Sequence, residues 1–174
     1  MLTSEDKLLL QACLKGNQNA QTRLYRQYVQ AMFNLVVRMV PNRMEAEDVV
    51  QEVFVKVFQK LETFKGEATL GAWIKRIAIN TALGHLRKKG KINIVELETQ
   101  QEPIEEVENN DTHYDMKRIH HAIKQLPDGC RVIFNLYLLE GYRHQEIAQL
   151  LGVSESTSKT QYHRAKVLLR KLLK

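Results

Sequence analysis

Cysteine is nearly absent. Cys13 and Cys130 are the only two in 174 residues, and neither stands in a CxxC pair or near a histidine at metal-ligand spacing. That excludes a disulfide framework and a zinc site as organising features, and both thiols are expected to be small buried apolar groups. Long hydrophobic runs are missing too: no stretch approaches the roughly eighteen apolar residues of a membrane span. The opening MLTSEDKLLL has acids where a signal peptide carries bases. The expectation is a chain with no membrane insertion that stays in the cytoplasm. Catalytic signatures are also lacking. There is no glycine-rich loop to cradle a phosphate and no nucleophile beside a base, and the HQE at 144–146 has no second histidine to hold a metal. His120 and His121 read as exposed helix residues. Neither an enzyme nor a cofactor is expected.

What the chain does have is charge in blocks. It carries 26 Lys or Arg against 20 Asp or Glu, a net of +6, with 44% apolar residues. Residues 1–95 hold 15 bases and 8 acids, and residues 117–174 hold 11 and 4, so each block nets +7. Between them, residues 96–111 (ELETQQEPIEEVENND) hold 7 acids and no base. Two basic bodies suit a polyanionic partner. The acidic stretch has Pro103 and few large apolar side chains, so it reads as a mobile linker. It is either an ordinary solvated loop or a strap that competes with DNA for the basic faces. The organisation expected is all-α: a helical domain over 1–92, an acidic linker over 93–113 and a second helical domain over 114–174. About 20 linker residues span ~25 Å when flexible and at most ~70 Å when extended. Two bodies so joined can bridge DNA sites a little over two turns apart.

The most specific pattern lies at the C-terminal end, GYRHQEIAQLLGVSESTSKTQYHRAKVLLRKLLK. It reads as two helices joined by a tight turn, the layout of a helix-turn-helix. Ile147, Ala148, Leu150 and Leu151 form the inward face of the first helix, Gly152 turns the chain, Val153 fills the corner and Ser154 caps the second helix. In that second helix Ser158, Tyr162, Ala165 and Leu169 face inward, which leaves Lys159, Thr160, His163 and Arg164 outside with Gln161 at the margin. A helical hairpin with no ligand has the same apolar pattern, and the charge favours the DNA reader. Arg143, at the cap of the first helix, lacks the oxygen a capping box needs, so that end should fray or lean on DNA.

The first body is helical by periodicity. Ser4 can cap a short helix ending near Gly16. Ala20, Leu24, Tyr28, Met32, Leu35 and Met39 trace one long stripe stopped by Pro41, and Asn42 with Glu45 starts the next helix. There Val50, Val53, Val57 and Leu61 face inward, and Asp48, Gln51, Glu52 and Val55 share a second face, suited either to solvent or to a docked partner. After a loop at Phe64, Lys65 and Gly66, a further helix turns Leu70, Trp73, Ile74, Ile77 and Leu83 inward and Arg76, Asn80, Gly84 and Arg87 outward. Its basic end at Arg87, Lys88, Lys89 and Lys91 either offsets the helix dipole or holds phosphates, with Asn80 able to meet a base edge and Phe64 to stack on an unpaired one.

Three segments in this order, EDVVQEVFVKVF, AWIKRIAINTALGHLRKK and LPDGCRVIFNLYLLEGYRHQEIAQLLGVSESTSKTQYHRAK, resemble regions 2.2, 2.3–2.4 and 4 of the extracytoplasmic-function group of sigma-70 family factors. The resemblance implies a dissociable transcription initiation subunit that directs core RNA polymerase to promoters. It places Asp48, Gln51, Glu52 and Phe54 on the clamp helices of the β′ subunit and the second body near the β flap. Phe64, Lys65, Gly66, Arg76, Asn80, Arg87 and Lys88 would engage the minus-10 element, one base of it flipped, and Lys159, Thr160, Gln161, His163 and Arg164 would read minus-35. A separate anti-sigma protein would silence the factor. The pattern departs from the family at Ser158, where Val is common, at Gln161, where a base is common, and at Arg143, where Ser or Thr is common. A stand-alone DNA-binding regulator is the alternative, with the first body as a sensor or dimerisation module.

Overall fold

The structure is a computed structural model that describes residues 4–92 and 115–174, and the linker expected over 93–113 lies outside the described residues. The described residues are helical without a strand and divide into two compact units, each with its own core.

In the first unit every α-helix after the first begins where the sequence supplies a side-chain oxygen. Helix α1 spans Ser4–Leu14. It takes in Ser4 as its first residue, and the turn after it passes through Gly16 at φ +77°. A residue with a Cβ resists that left-handed conformation. Asn17 caps α2 (Gln18–Met39), its Oδ1 accepting from Ala20 N at 3.1 Å. Helix α2 ends at Val40 and Pro41, since proline cannot donate to the ladder. Asn42 caps α3 (Arg43–Lys60) in the same way through Glu45 N at 3.1 Å, and Thr69 caps α4 (Leu70–Lys88) through Ala72 N at 3.2 Å. A tight helical turn, Leu61–Thr63, and a loop join α3 to α4.

Helices α2, α3 and α4 pack against one another. The stripe Ala20, Leu24, Met32, Leu35 and Met39 is buried, as are Val50, Val53, Val57 and Leu61. Each large side chain so removed from water contributes on the order of 2 kcal/mol. Helix α4 is buried more widely than its periodicity indicates. Ala78, Ile79, Ala82 and Leu86 join Leu70, Ile74 and Leu83 in the core, while Trp73 and Ile77 are half-buried. The cause is its position against both α2 and α3, which gives it two inward faces.

The second unit contains α5 (Met116–Gln125), α6 (Asp128–Phe134), α7 (His144–Leu151) and α8 (Glu155–Leu173). Helix α6 runs on into one wider π turn at Asn135–Leu139. Helix α8 is the hub against which α5, α6 and α7 pack, with Ala122, Ile123, Leu126, Cys130, Phe134, Ala165 and Leu169 forming a core. Arg131 is buried because its guanidinium serves the end of α5. It donates to Leu126 O at 2.7 Å and pairs with Asp128, so its charge is compensated where it lies. Gly152 takes φ +71°, the left-handed closure that turns α7 into α8, and Ser154 Oγ caps α8 by accepting from Thr157 N at 3.0 Å.

Candidate nucleic-acid and protein interfaces

On α3 the caps and the apolar stripe fix the rotation of the helix, and Asp48, Gln51, Glu52 and Val55 emerge together on its exposed side. Lys56 Nζ reaches Glu52 Oε1 at 2.7 Å and donates to Thr81 Oγ1 of α4 at 3.4 Å, which ties the acidic face to the core beneath it. The hydrogen bond from Lys56 holds the Glu52 carboxyl below its ordinary range, against the opposing effect of burial. Phe54 is a correction. Its ring is 3% exposed and meets Tyr25 edge-on at 4.7 Å, so it supports the face from below and offers nothing to a partner. Phe54 lies one turn from Val50 and Val57, at the margin of the inward face, and the Tyr25 ring of α2 covers it there. Sequence reasoning passed over Met44, which is 75% exposed one turn before Asp48 and, with Val55, gives the acidic face an apolar residue at each end.

On α4, Arg76, Asn80, Arg87 and Lys88 are all exposed on the outer side, and a Cβ at Gly84 would meet nothing within 4 Å. The helix therefore presents an unobstructed polar strip. Its basic end is positioned by Glu45 of α3, which accepts from Lys89 Nζ at 2.8 Å and lies 3.0 Å from His85 Nε2. Of the terminal cations, Lys89 is thus already engaged within the fold. In the preceding loop Gly66 takes φ +74°, Lys65 is exposed, and Phe64 is half-buried with its ring 5.2 Å from that of Trp73. Trp73 backs Phe64, a contact the sequence reading did not anticipate.

In the second unit Ser158, Ala165 and Leu169 are buried and Tyr162 is half-buried, while Lys159, Thr160 and Arg164 are exposed and His163 is half-buried beside them. Gln161 is the second correction. It is 6% exposed, on the side of α8 that packs on α6, and its Oε1 accepts from Cys130 Sγ at 3.0 Å. An amide fits there because the thiol gives its oxygen a partner. Cys13 and Cys130 are both buried, and burial pushes both thiols up.

The start of α7 is held despite Arg143. The Glu146 carboxylate accepts from Arg143 N at 2.7 Å, which supplies half of a capping box. His144 Nδ1 shares a hydrogen bond of 2.9 Å with Ser158 Oγ, and its ring stacks on Tyr137 at 4.2 Å, with Tyr162 at 5.6 Å. The α7 start thus has partners that the Arg143 side chain does not supply. The serine that stands where the family commonly has valine is bonded, not a gap in the packing. Burial holds the His144 imidazole below its ordinary value, Lys159 adding to the effect and Glu155 opposing it.

Among the described residues no group of three or more His, Cys, Asp or Glu side chains could hold a metal ion, and no helix is long and apolar enough to cross a membrane. The polar surfaces described above are two largely basic strips on α4 and α8 and one acidic face on α3. Comparison with known proteins accounts for that combination. The family model for sigma-70 region 2 matches residues 24–92 and the model for sigma-70 region 4 matches residues 116–169. The RNA polymerase sigma-H factor of Pseudomonas aeruginosa is 30% identical over 187 residues, covering 99% of this chain and 96% of that protein. The ECF RNA polymerase sigma-E factor of Escherichia coli K12 is 30% identical over 173 residues, covering 92% and 90%. In fold the chain is similar to the sigma factor RpoE of Bartonella quintana, solved with the anti-sigma factor NepR. There the TM-score is 0.58 at 23% identity, over 87% of this chain and 95% of that one. It is also similar to CnrH, solved with the cytosolic domain of CnrY, with a TM-score of 0.55 at 24% identity over 97% and 96%. The chain belongs to the extracytoplasmic-function group of the sigma-70 family, transcription initiation factors that bind core RNA polymerase and direct it to specific promoters.

Proposed function

We propose that the work of initiation is divided among three surfaces of this chain. The α3 face of Asp48, Gln51 and Glu52 docks on the clamp helices of the polymerase β′ subunit, and the second unit sits near the β flap. Phe64, Lys65, Gly66, Arg76, Asn80, Arg87 and Lys88 engage the minus-10 element. Asn80 meets a base edge, the cations hold phosphates and the Phe64 ring receives an unstacked base. Lys159, Thr160, His163 and Arg164 read minus-35 from the major groove. The protein works in the cytoplasm, holds no cofactor and performs no catalysis of its own. An anti-sigma protein silences it, a reading supported by the similar sigma factor RpoE having been solved in complex with the anti-sigma factor NepR.

The observation that carries this reading is the exposure of Asp48, Gln51 and Glu52 on one side of a helix whose opposite side is fully committed to the core. A change there alters binding without altering the fold. Reversing Asp48 and Glu52 to Lys places two cations where two anions were, and core polymerase should no longer be retained in a pulldown while helicity stays at the wild-type level. Retention at wild-type yield would refute the assignment. The stand-alone regulator gives way to family membership.

A further inference from the structure

One acid stands among the presumed minus-35 readers, and its place is unexpected for a helix that approaches a polyanion. Glu155 is the first residue of α8, directly after the Ser154 cap, and the N-terminal residues of a recognition helix are those that reach base edges. Its Oε1 lies 2.7 Å from Nζ of Lys159, one turn on, with both side chains about half exposed. The hydrogen bond from Lys159 holds the Glu155 carboxyl below its ordinary range, so it stays an acceptor at neutral pH. The pair therefore presents an acceptor and a donor side by side, separated by one hydrogen-bond length.

The major-groove edge of a base pair has the complementary arrangement. In a G·C pair guanine O6 accepts and the cytosine N4 amine donates. These two atoms are joined by the base-pair hydrogen bond, and so are separated by about 2.9 Å. We propose that Glu155 and Lys159 together read a single G·C base pair, Glu155 accepting from cytosine N4 and Lys159 donating to guanine O6. This deepens the minus-35 assignment and rests on it. An A·T pair in the same orientation has donor and acceptor exchanged, which puts an amine against the ammonium and a carbonyl against the carboxylate. A T·A pair keeps the keto group beneath Lys159, but it sets the thymine methyl where guanine offers a second acceptor, N7. A carboxylate that accepts nothing repels phosphate, so Glu155 withholds affinity from A·T and C·G pairs, which set a carbonyl oxygen beneath it.

The test is selection from a duplex pool randomised over the minus-35 element, using holoenzyme assembled from the full chain and core polymerase. The wild type should select one G·C pair over A·T and over the inverted C·G by about tenfold, within the range one good base contact provides. Glu155→Gln, whose amide both donates and accepts, should lose most of that preference at this one position. The double exchange E155K/K159E keeps an ion pair one turn apart, and should select the inverted C·G pair. Thermal unfolding checks that α8 survives the exchange. If both variants instead change affinity equally for all sequences, the ion pair is only a helix brace and the proposal is overturned. A wild-type holoenzyme indifferent to every minus-35 substitution overturns the minus-35 assignment itself. The two failures are distinguishable because only the second appears before any mutation.

Discussion

Under the proposed division two exposed polar side chains of α4 have different tasks, and single substitutions separate them. Asn80 and Lys88 are both exposed on α4. Asn80→Ala should cost about 1–3 kcal/mol at one minus-10 position and relax base preference there, because an amide facing a base edge carries sequence information. Lys88→Ala should weaken binding to every sequence and flatten the salt dependence by about one phosphate contact. Promoter binding measured across base variants and salt concentrations distinguishes them, and equal sequence-independent losses would remove Asn80 from the readers. His144 gives a stability prediction. Its imidazole is held below its ordinary value of 6.5 by burial and by Lys159. Between the depressed folded value and about 6.5 the unfolded chain binds more protons than the folded one. Stability contributed by neutral His144 is therefore full above pH 6.5, falls as the pH drops below it, and levels off beneath the folded value. Thermal unfolding between pH 5 and 8 should show this slope in the wild type and lose it in His144→Gln.

At the scale of the element, α8 is the hub of its domain, and the proposal makes it the reading surface as well. Arg164 is exposed, so Arg164→Ala should cut promoter use and leave the melting temperature within a degree or two of the wild type. The Tyr162 ring lies among Phe134, Tyr137 and His144. Tyr162→Ala should cost about 2–4 kcal/mol by leaving a cavity, and should lose all minus-35 contacts together. Transcription assays run beside thermal unfolding settle this, and a folded Tyr162 variant with altered base preference would mean that α8 is rotated from its present position. Gln161 belongs with Tyr162 and not with the readers. Cys130→Ala should destabilise the second unit by about 1–3 kcal/mol because the buried amide oxygen loses its donor, while Cys130→Ser, which can still donate, should recover most of it.

For the whole molecule the division into two compact units, each with its own core, makes losses in promoter binding additive. Lys88→Ala and Arg164→Ala share no partner, so their combined loss should equal the sum of the single losses within about 0.5 kcal/mol. A coupling larger than that, measured by a double-mutant cycle on promoter binding, would mean that the two units do not act independently on DNA. The sequence by itself determined the helical class, the caps at Asn42 and Ser154, the turn at Gly152 and the exposed side of α3. These are local matters: a cap needs one oxygen near the first free N–H groups, and an apolar residue every three or four positions fixes which way a helix faces. It also determined the family, because three motifs in fixed order are more specific than any one of them. Only the tertiary structure decided the margins of those faces. Phe54 and Gln161 lie where a second helix covers a flank that periodicity leaves ambiguous, Tyr25 of α2 meeting one and Cys130 of α6 the other. The holding of His144 at the α7 start by Ser158 and the engagement of Lys89 by Glu45 rest on partners 14 and 44 residues away, and the support of Phe64 by Trp73 on a ring in the next helix. Periodicity measures the angle around one helix axis and carries no information about what packs beside it.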